Sequence, residues 1–228
     1  MFWEEDKKAE IPVVTDEVVD IVFGIDCRCL PVDHAYALAE AVKSVLPWLE
    51  DEPGAGLHTI HGAASGNGWM RPEDADALLL FSRRTRFSLR VPKHRIEDAK
   101  KLQGQRLSVA GYDLTLKEAS ERPLSTLTTL FARHLAADEG YSSEEELLHW
   151  VATELQKLDI RPRKMLCGTE HVISTPTGGI PTRSLMIAEL EHDESLRLQQ
   201  HGIGPHRTLG CGLFIPHKGI APVGQEKD

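Results

Sequence analysis

The chain has 228 residues, 41% of them hydrophobic and 27% charged, with a formal net charge of −9. This is the composition of a folded globular protein and excludes wholesale disorder, and the length suits one large domain or two of about 110 residues. No apolar run approaches the roughly 20 residues of a membrane span. The opening MFWEEDKKAE lacks the basic-then-apolar order of a secretory leader, so a cytoplasmic protein without a membrane partner is expected. Four cysteines (Cys27, Cys29, Cys167 and Cys211) are too few and too scattered for a disulfide framework, and Cys27-x-Cys29 is not a zinc spacing. No metal site and no cofactor are expected.

After an acidic N-terminal arm, the β-branched run VVDIVFGIDCRCL predicts a strand over 18–30, stopped by Pro31. Asp33 is a plausible N-cap for a helix over 34–48, in which Leu38, Ala41, Val42 and Val45 recur at the spacing of one helix face. Pro53, Gly54 and Gly56 then break the chain. A short strand is predicted over 56–62 and a loop over 63–76. ALLLFSRRTRFSLRVP follows as a strand in which Phe87, Leu89 and Val91 alternate with Arg86, Ser88 and Arg90. A short helix over 94–102 and a strand over 106–116, turning at Ala110 and Gly111, complete a β-α-β-β-α-β order.

The order then repeats. A strand over 124–135 precedes Ser143-x-x-Glu146, a capping box opening a helix whose Leu147, Val151, Leu155 and Leu158 line one face. Strands are predicted over 165–175 and 182–190 around Gly178 and Gly179, then a helix over 191–200, a glycine-rich loop and a strand over 211–215. Two copies of one element order predict an α+β fold of two tandem ferredoxin-like units, spanning 18–118 and 123–219.

The acidic net charge argues against a nucleic-acid partner only until its distribution is read. From Arg83 to Arg106 nine cations face two acids, and between Glu194 and Glu226 there is no acid at all. Arg84, Arg86 and Arg90 share a period of two, which suits contacts to successive phosphates, although solvated strand and helix faces give the same pattern. In HGIGPHRTLGCGLF, Gly202, Gly204, Gly210 and Gly212 surround His206 and Arg207. Neither a dinucleotide fingerprint nor a P-loop fits this spacing. It reads either as a tight helix-to-strand connection or as a ribbon whose backbone N–H groups track a phosphate chain while Arg207 and the histidines add charge.

LPVDHAYALAEAVKSVLPWL, GLHTIHG, SRRTRFSLRVP, HDESLRLQQHGIG and RTLGCGLFIPHKG, in that order, resemble the CRISPR-associated endoribonucleases that cut precursor repeat RNA, the sixth Cas protein of the RAMP superfamily. The resemblance spans residues 18 to 219. It implies metal-independent cleavage of CRISPR repeat RNA, and RNA along the cleft between two ferredoxin-like units, gripped by the glycine loop. It also implies a catalytic histidine in or beside the first helix, where His34 stands. A 2′-hydroxyl attacking the adjacent phosphate leaves a 2′,3′-cyclic phosphate and a 5′-hydroxyl, and needs a base, an acid and charge stabilisation. Near the positive end of a helix an imidazole tends to be neutral, which suits His34 as the base. His58 and His61 compete for the acid role; on a strand they point to opposite faces, so only one can face the cleft. The expected partners are CRISPR repeat RNA, retained after cutting or released, and other Cas proteins. The alternative is a non-catalytic RNA-binding subunit of a CRISPR effector.

Overall fold

A computed structural model describes residues 17–61, 77–138 and 140–217; the acidic arm and the loop predicted over 63–76 lie outside them. The N-terminal half contains β1 (Val18–Asp26), β2 (Cys29–Pro31), α1 (Ala35–Lys43), β3 (Gly56–His58), β4 (Leu78–Leu80), β5 (Arg86–Pro92), α2 (Ile96–Lys100), β6 (Arg106–Val109) and β7 (Tyr112–Pro123). The C-terminal half contains β8 (Leu130–Leu135), α3 (Glu144–Lys157), β9 (Lys164–Thr175), β10 (Gly178–Ala188), α4 (His192–His201) and β11 (Phe214–Pro216). The result is a mixed α/β fold on two main antiparallel sheets, ordered β3-β5-β1-β7-β6 and β11-β8-β10-β9, with β2 and β4 forming a small separate ribbon. No helix among the described residues is long and apolar enough to cross a membrane.

Alternation along β1 decides which face of the first sheet is buried. Val19, Ile21, Phe23 and Ile25 join Leu38 and Val42 of α1, Ala99 of α2 and Phe87 and Leu89 of β5 in one core. The opposite face carries Asp20. In the second half Leu147, Val151 and Leu155 of α3 pack on Leu130, Leu185, Leu198 and Phe214. Ser143 accepts a hydrogen bond from the Glu146 N–H as its spacing predicts, while the Glu146 carboxylate takes the N–H and hydroxyl of Ser142 rather than closing the box on Ser143. A reciprocal box instead opens α4, between Glu191 and Glu194.

The strands expected over 18–30 and in ALLLFSRRTRFSLRVP each divide between the first sheet and the β2–β4 ribbon, and four further differences from expectation have a clear physical reason. Helix α1 begins at Ala35 with His34 at its N-cap position, because the Asp33 carboxylate accepts from the Ser174 N–H on β9 (2.9 Å) instead of capping. It ends at Lys43, since Pro47 imposes a separate 3-10 turn over Pro47–Leu49. Strand β7 runs to Pro123, paired with Val19, so the boundary expected at 118 falls inside a strand. The strand expected from 124 starts only at Leu130, because the Ser125 N–H and carbonyl are occupied by the Gln199 side chain and not by a neighbouring strand.

One buried ion pair joins the halves. Arg90 on β5 is fully buried; its Nε lies 2.8 Å from Asp20 Oδ1 and its Nη2 3.2 Å from Oδ2, while Nη1 donates to the carbonyls of Gln199 (2.9 Å) and Phe214 (2.8 Å). Below it Ala35 and Ala39 of α1 pack on Ala136, Ile173, Leu209 and Cys211. Asp20→Ala leaves a buried guanidinium without its counter-charge, and should destabilise the protein by about 3–5 kcal/mol, read as a lower urea midpoint at unchanged m-value. Arg90→Lys should fail to rescue in the reciprocal experiment, since an ammonium cannot span a carboxylate and two carbonyls at once.

Candidate active site

Three segments meet where the halves touch: the start of α1, the residues that follow β3, and the turn Arg207–Leu209, which packs on both β3 and α1. His34 is fully buried there. Its Nε2 accepts the Ile60 N–H at 3.1 Å, so that nitrogen is unprotonated; the ring proton sits on Nδ1, 2.8 Å from the Pro31 carbonyl. The imidazole is thus neutral, as its helix-terminal position favours, and it is enclosed.

His58 and His61 diverge as the strand geometry requires. His58 belongs to the ionic cluster: its Nε2 lies 3.4 Å from Asp20 Oδ1, a long contact rather than a well-formed hydrogen bond. Burial pushes its pKa below the ordinary imidazole value, Asp20 pulls the other way, and Arg90 and Arg122 add to the depression. For Asp20, burial alone would raise the carboxyl, but Arg90, seconded by His58, holds it well below the usual carboxylate range. His61 stays half-buried at the rim, with Nε2 2.9 Å from Thr59 Oγ1.

The glycine turn is docked inward. The N–H groups of Gly202, Gly210 and Gly212 donate to the carbonyls of Leu198, Arg207 and His134, so they cannot cradle a phosphate; that expectation is corrected for these three. Gly212 has φ +66° and its missing Cβ would strike the Ile203 carbonyl. At Gly210 (φ +88°) a Cβ would lie 3.1 Å from Thr59 Cγ2 and 3.2 Å from the Leu57 carbonyl, so its absence lets the turn lie directly on β3. Arg207 is corrected likewise: its guanidinium donates to the carbonyls of Ala55 (3.1 Å), Gly54, Gln200 and His201, clasping the two halves. Burial lowers its pKa to about 10, with Arg90 nearby adding to the effect, which leaves it charged at neutral pH. Gly204 is half-buried against the Ala136 carbonyl and Trp150, and His206, left-handed at φ +63°, is the exposed residue of the turn.

The cations of 83–106 are mostly neutralised. Arg95 pairs with Glu52 and Asp98, Lys100 with Glu97 and Glu121, Lys101 with Asp98, and Arg106 with Asp113. Arg90, expected to touch RNA, is withdrawn from that role by its burial. Arg84 lies in the turn before β5, so the three arginines do not share one strand face. Arg83, Arg84 and Arg86 are exposed, and among the described residues no carboxylate pairs with them; Arg86 donates to the carbonyls of Arg83 and Thr85. The β3–β5 register runs from Gly56↔Arg90 to His58↔Ser88, so Arg86 at the start of β5 lies toward the end of the sheet from which the 59–61 segment leaves. Asp20 and Arg122 were missed by sequence reasoning. The available signal was an acid amid the apolar residues of VVDIVFGID. Among the described residues no three His, Cys, Asp or Glu side chains cluster as metal ligands.

Comparison with known proteins places this geometry. The family model described as Cas6 Crispr matches residues 19–219. A CRISPR-associated endonuclease Cas6 of Myxococcus xanthus (strain DK1622) is 27% identical over 198 residues, 87% of this chain and 81% of that protein. A solved CRISPR associated protein Cas6 superposes with a TM-score of 0.62 at 11% identity, over 89% of this chain and 100% of the other. A RAMP protein binding different RNA substrates gives 0.58 at 13% identity, over 86% and 98%.

Two outcomes test the packing. Gly212→Ala should lower stability by about 1–2 kcal/mol or more, from its left-handed φ alone, seen as a reduced melting temperature. The depressed His58 pKa means the unfolded chain binds a proton, below about pH 6.5, that the folded chain refuses, so stability falls as pH drops through that range. In His58→Gln the melting temperature should vary less between pH 7 and 5 than in the unaltered protein.

Proposed function

The chain belongs to the Cas6 CRISPR family, and from that premise we propose that it is a metal-independent endoribonuclease cleaving CRISPR repeat RNA, built as two tandem ferredoxin-like units. The unit reading is supported by strand order. In chain order within each half, β3-β5-β1-β7 and β11-β8-β10-β9 both run through a first, second, third and fourth strand arranged 2-3-1-4 or its reverse, with β6 added at one edge. The units then span about 18–123 and 130–216, joined through residues 124–129.

The observation that carries the catalytic reading is the tautomer of His34. An imidazole whose Nδ1–H is fixed on a carbonyl and whose Nε2 carries no proton is already in the accepting form a general base needs. In the cutting step the substrate 2′-hydroxyl replaces the Ile60 N–H at Nε2 and gives up its proton there. The new alkoxide attacks the adjacent phosphorus in line; the P–O5′ bond breaks, and the leaving oxygen takes a proton from His61. Arg84 and Arg86, lacking carboxylate partners, stabilise charge on the phosphoryl oxygens. The products are a 2′,3′-cyclic phosphate and a 5′-hydroxyl.

The enclosure of His34 favours one second reading, an RNA-binding subunit that does not cut. Incubation with the repeat RNA of the associated CRISPR array in EDTA separates the two: cleavage is expected, blocked by a single 2′-deoxy nucleotide before the scissile phosphate, and intact RNA would overturn the nuclease reading. His34→Gln keeps a hydrogen-bonding amide but no proton-accepting nitrogen, and should lose about a hundredfold or more in rate while still binding RNA. His61→Ala should lose rate with no loss of melting temperature.

A further inference from the structure

The residue before His34 gives up its local partner for a distant one. A carboxylate just ahead of a helix ordinarily accepts from the N–H groups of the first turn, yet neither Asp33 nor His34 caps α1 with its side chain. Asp33 Oδ2 instead accepts the Ser174 N–H at 2.9 Å. Ser174 lies on β9, the edge strand of the second sheet, and among the described residues no further strand pairs with that edge. The N–H thus points away from the ladder and toward α1. A bond that would have served the helix alone joins the two halves.

Packing supports the same junction. Ala35 and Ala39 of α1 share a buried cluster with Ile173 of β9, and Ile180 of β10, which pairs with Ile173, lies against it. Two residues on, the end of the β9–β10 hairpin is tied to itself, with Thr175 Oγ1 donating to the Gly178 carbonyl at 2.7 Å. Small side chains on α1 let this hairpin come close. Apolar contact is non-directional and leaves the hairpin free to slide along the helix, whereas a hydrogen bond has a direction and fixes the position. Asp33 supplies that bond.

The consequence falls on the His34 ring, which is held by the Pro31 carbonyl at Nδ1 and by the Ile60 N–H at Nε2. In the cutting step proposed above the second of these bonds is given up to the 2′-hydroxyl. The ring is then aimed by the Pro31 bond and by the backbone on either side of His34, of which Asp33 is the nearest tethered point. We propose that Asp33, through the Ser174 N–H, is a positioning residue for the cutting step: it holds the start of α1 still while Nε2 exchanges partners, and so makes the aim of the base depend on the second half. Asp33 itself touches no reacting atom. The inference rests on the reading of His34 as the base.

The test is a double-mutant cycle on the full chain, read as the single-turnover rate of repeat cleavage at saturating protein and, separately, as the Kd for the repeat. Asp33→Ala removes the acceptor. Ser174→Pro removes the donor from the other half and leaves the ladder intact, since proline is tolerated on an edge strand whose N–H faces outward. Each should cut about tenfold more slowly at unchanged Kd, the cost of a small misplacement of the base. Because both changes break one bond, the double variant should be no slower than either single variant. Asp33→Asn keeps an oxygen that accepts the same N–H and should recover most of the rate. Full rate in Asp33→Ala and Ser174→Pro, a loss that falls on Kd instead, or losses that multiply in the double variant would each overturn the positioning role, while an inactive His34→Gln beside them leaves the base reading standing. Full rate in His34→Gln overturns both.

Discussion

The buried contact between Arg90 and Asp20 sets the relation of the two halves, and the site depends on that relation. Asp20 sits on the sheet face opposite the first core, where a bare carboxylate under a second layer would be prohibitively costly. Arg90 neutralises it through two nitrogens and turns the third toward the carbonyls of Gln199 and Phe214. One of those carbonyls lies in the last turn of α4, where the negative end of the helix dipole favours a cation, and the other begins β11. Because α4 and β11 flank the glycine turn, fixing both also fixes where that turn can lie. It lies on β3, beside the residues that hold His34.

The glycine turn follows from this constraint. Its positive-φ glycines let the chain leave α4, cross to the N-terminal half and return to β11 within a dozen residues, while Arg207 ties backbone carbonyls of both halves together. A guanidinium suits this task for the same reason it suits Arg90, since five donors in a rigid fork can satisfy several acceptors at once. Sequence alone showed a cationic, glycine-rich segment; the fold uses its cation inward and leaves His206 outward. The turn's outward face is therefore His206, and its inward face fixes the position of the segment that follows β3.

Local patterns were legible and distant partnerships were not. The alternation of β1, the apolar faces of α1 and α3, the Ser143 cap and the repeated element order all express themselves within a few residues of sequence, and the fold follows them. Arg90 was misread because its partners Asp20, Gln199 and Phe214 lie 70, 109 and 124 residues away. Asp33 was misread for the same reason: a carboxylate before a helix is ordinarily a cap, but here Ser174, 141 residues on, claims it. The position of His34 at the helix start follows from the apolar spacing after it, whereas its contact with the Ile60 N–H depends on the segment after β3, 26 residues on, which no local spacing encodes.

The charge distribution shows how an acidic protein can present a selective surface to RNA. Five of the nine basic residues of 83–106 pair with carboxylates, four of them with partners outside the segment (Asp20, Glu52, Glu121 and Asp113), and the exposed pairs among them add little stability. Their effect is to erase the uniform basic field that would attract any polyanion. Around the first sheet, Arg83, Arg84 and Arg86 have no carboxylate partner among the described residues and lie at one end, while Arg122, which shares Asp20 with Arg90, lies at the other. On the proposed reading, few unpaired cations mean weak electrostatic binding in total, so discrimination comes from the spacing of the contacts rather than from a uniform field. The Arg90 joint suits the proposed reading, because the backbone positions of Arg86 and Arg122 are set by the register of β1 against β5 and β7.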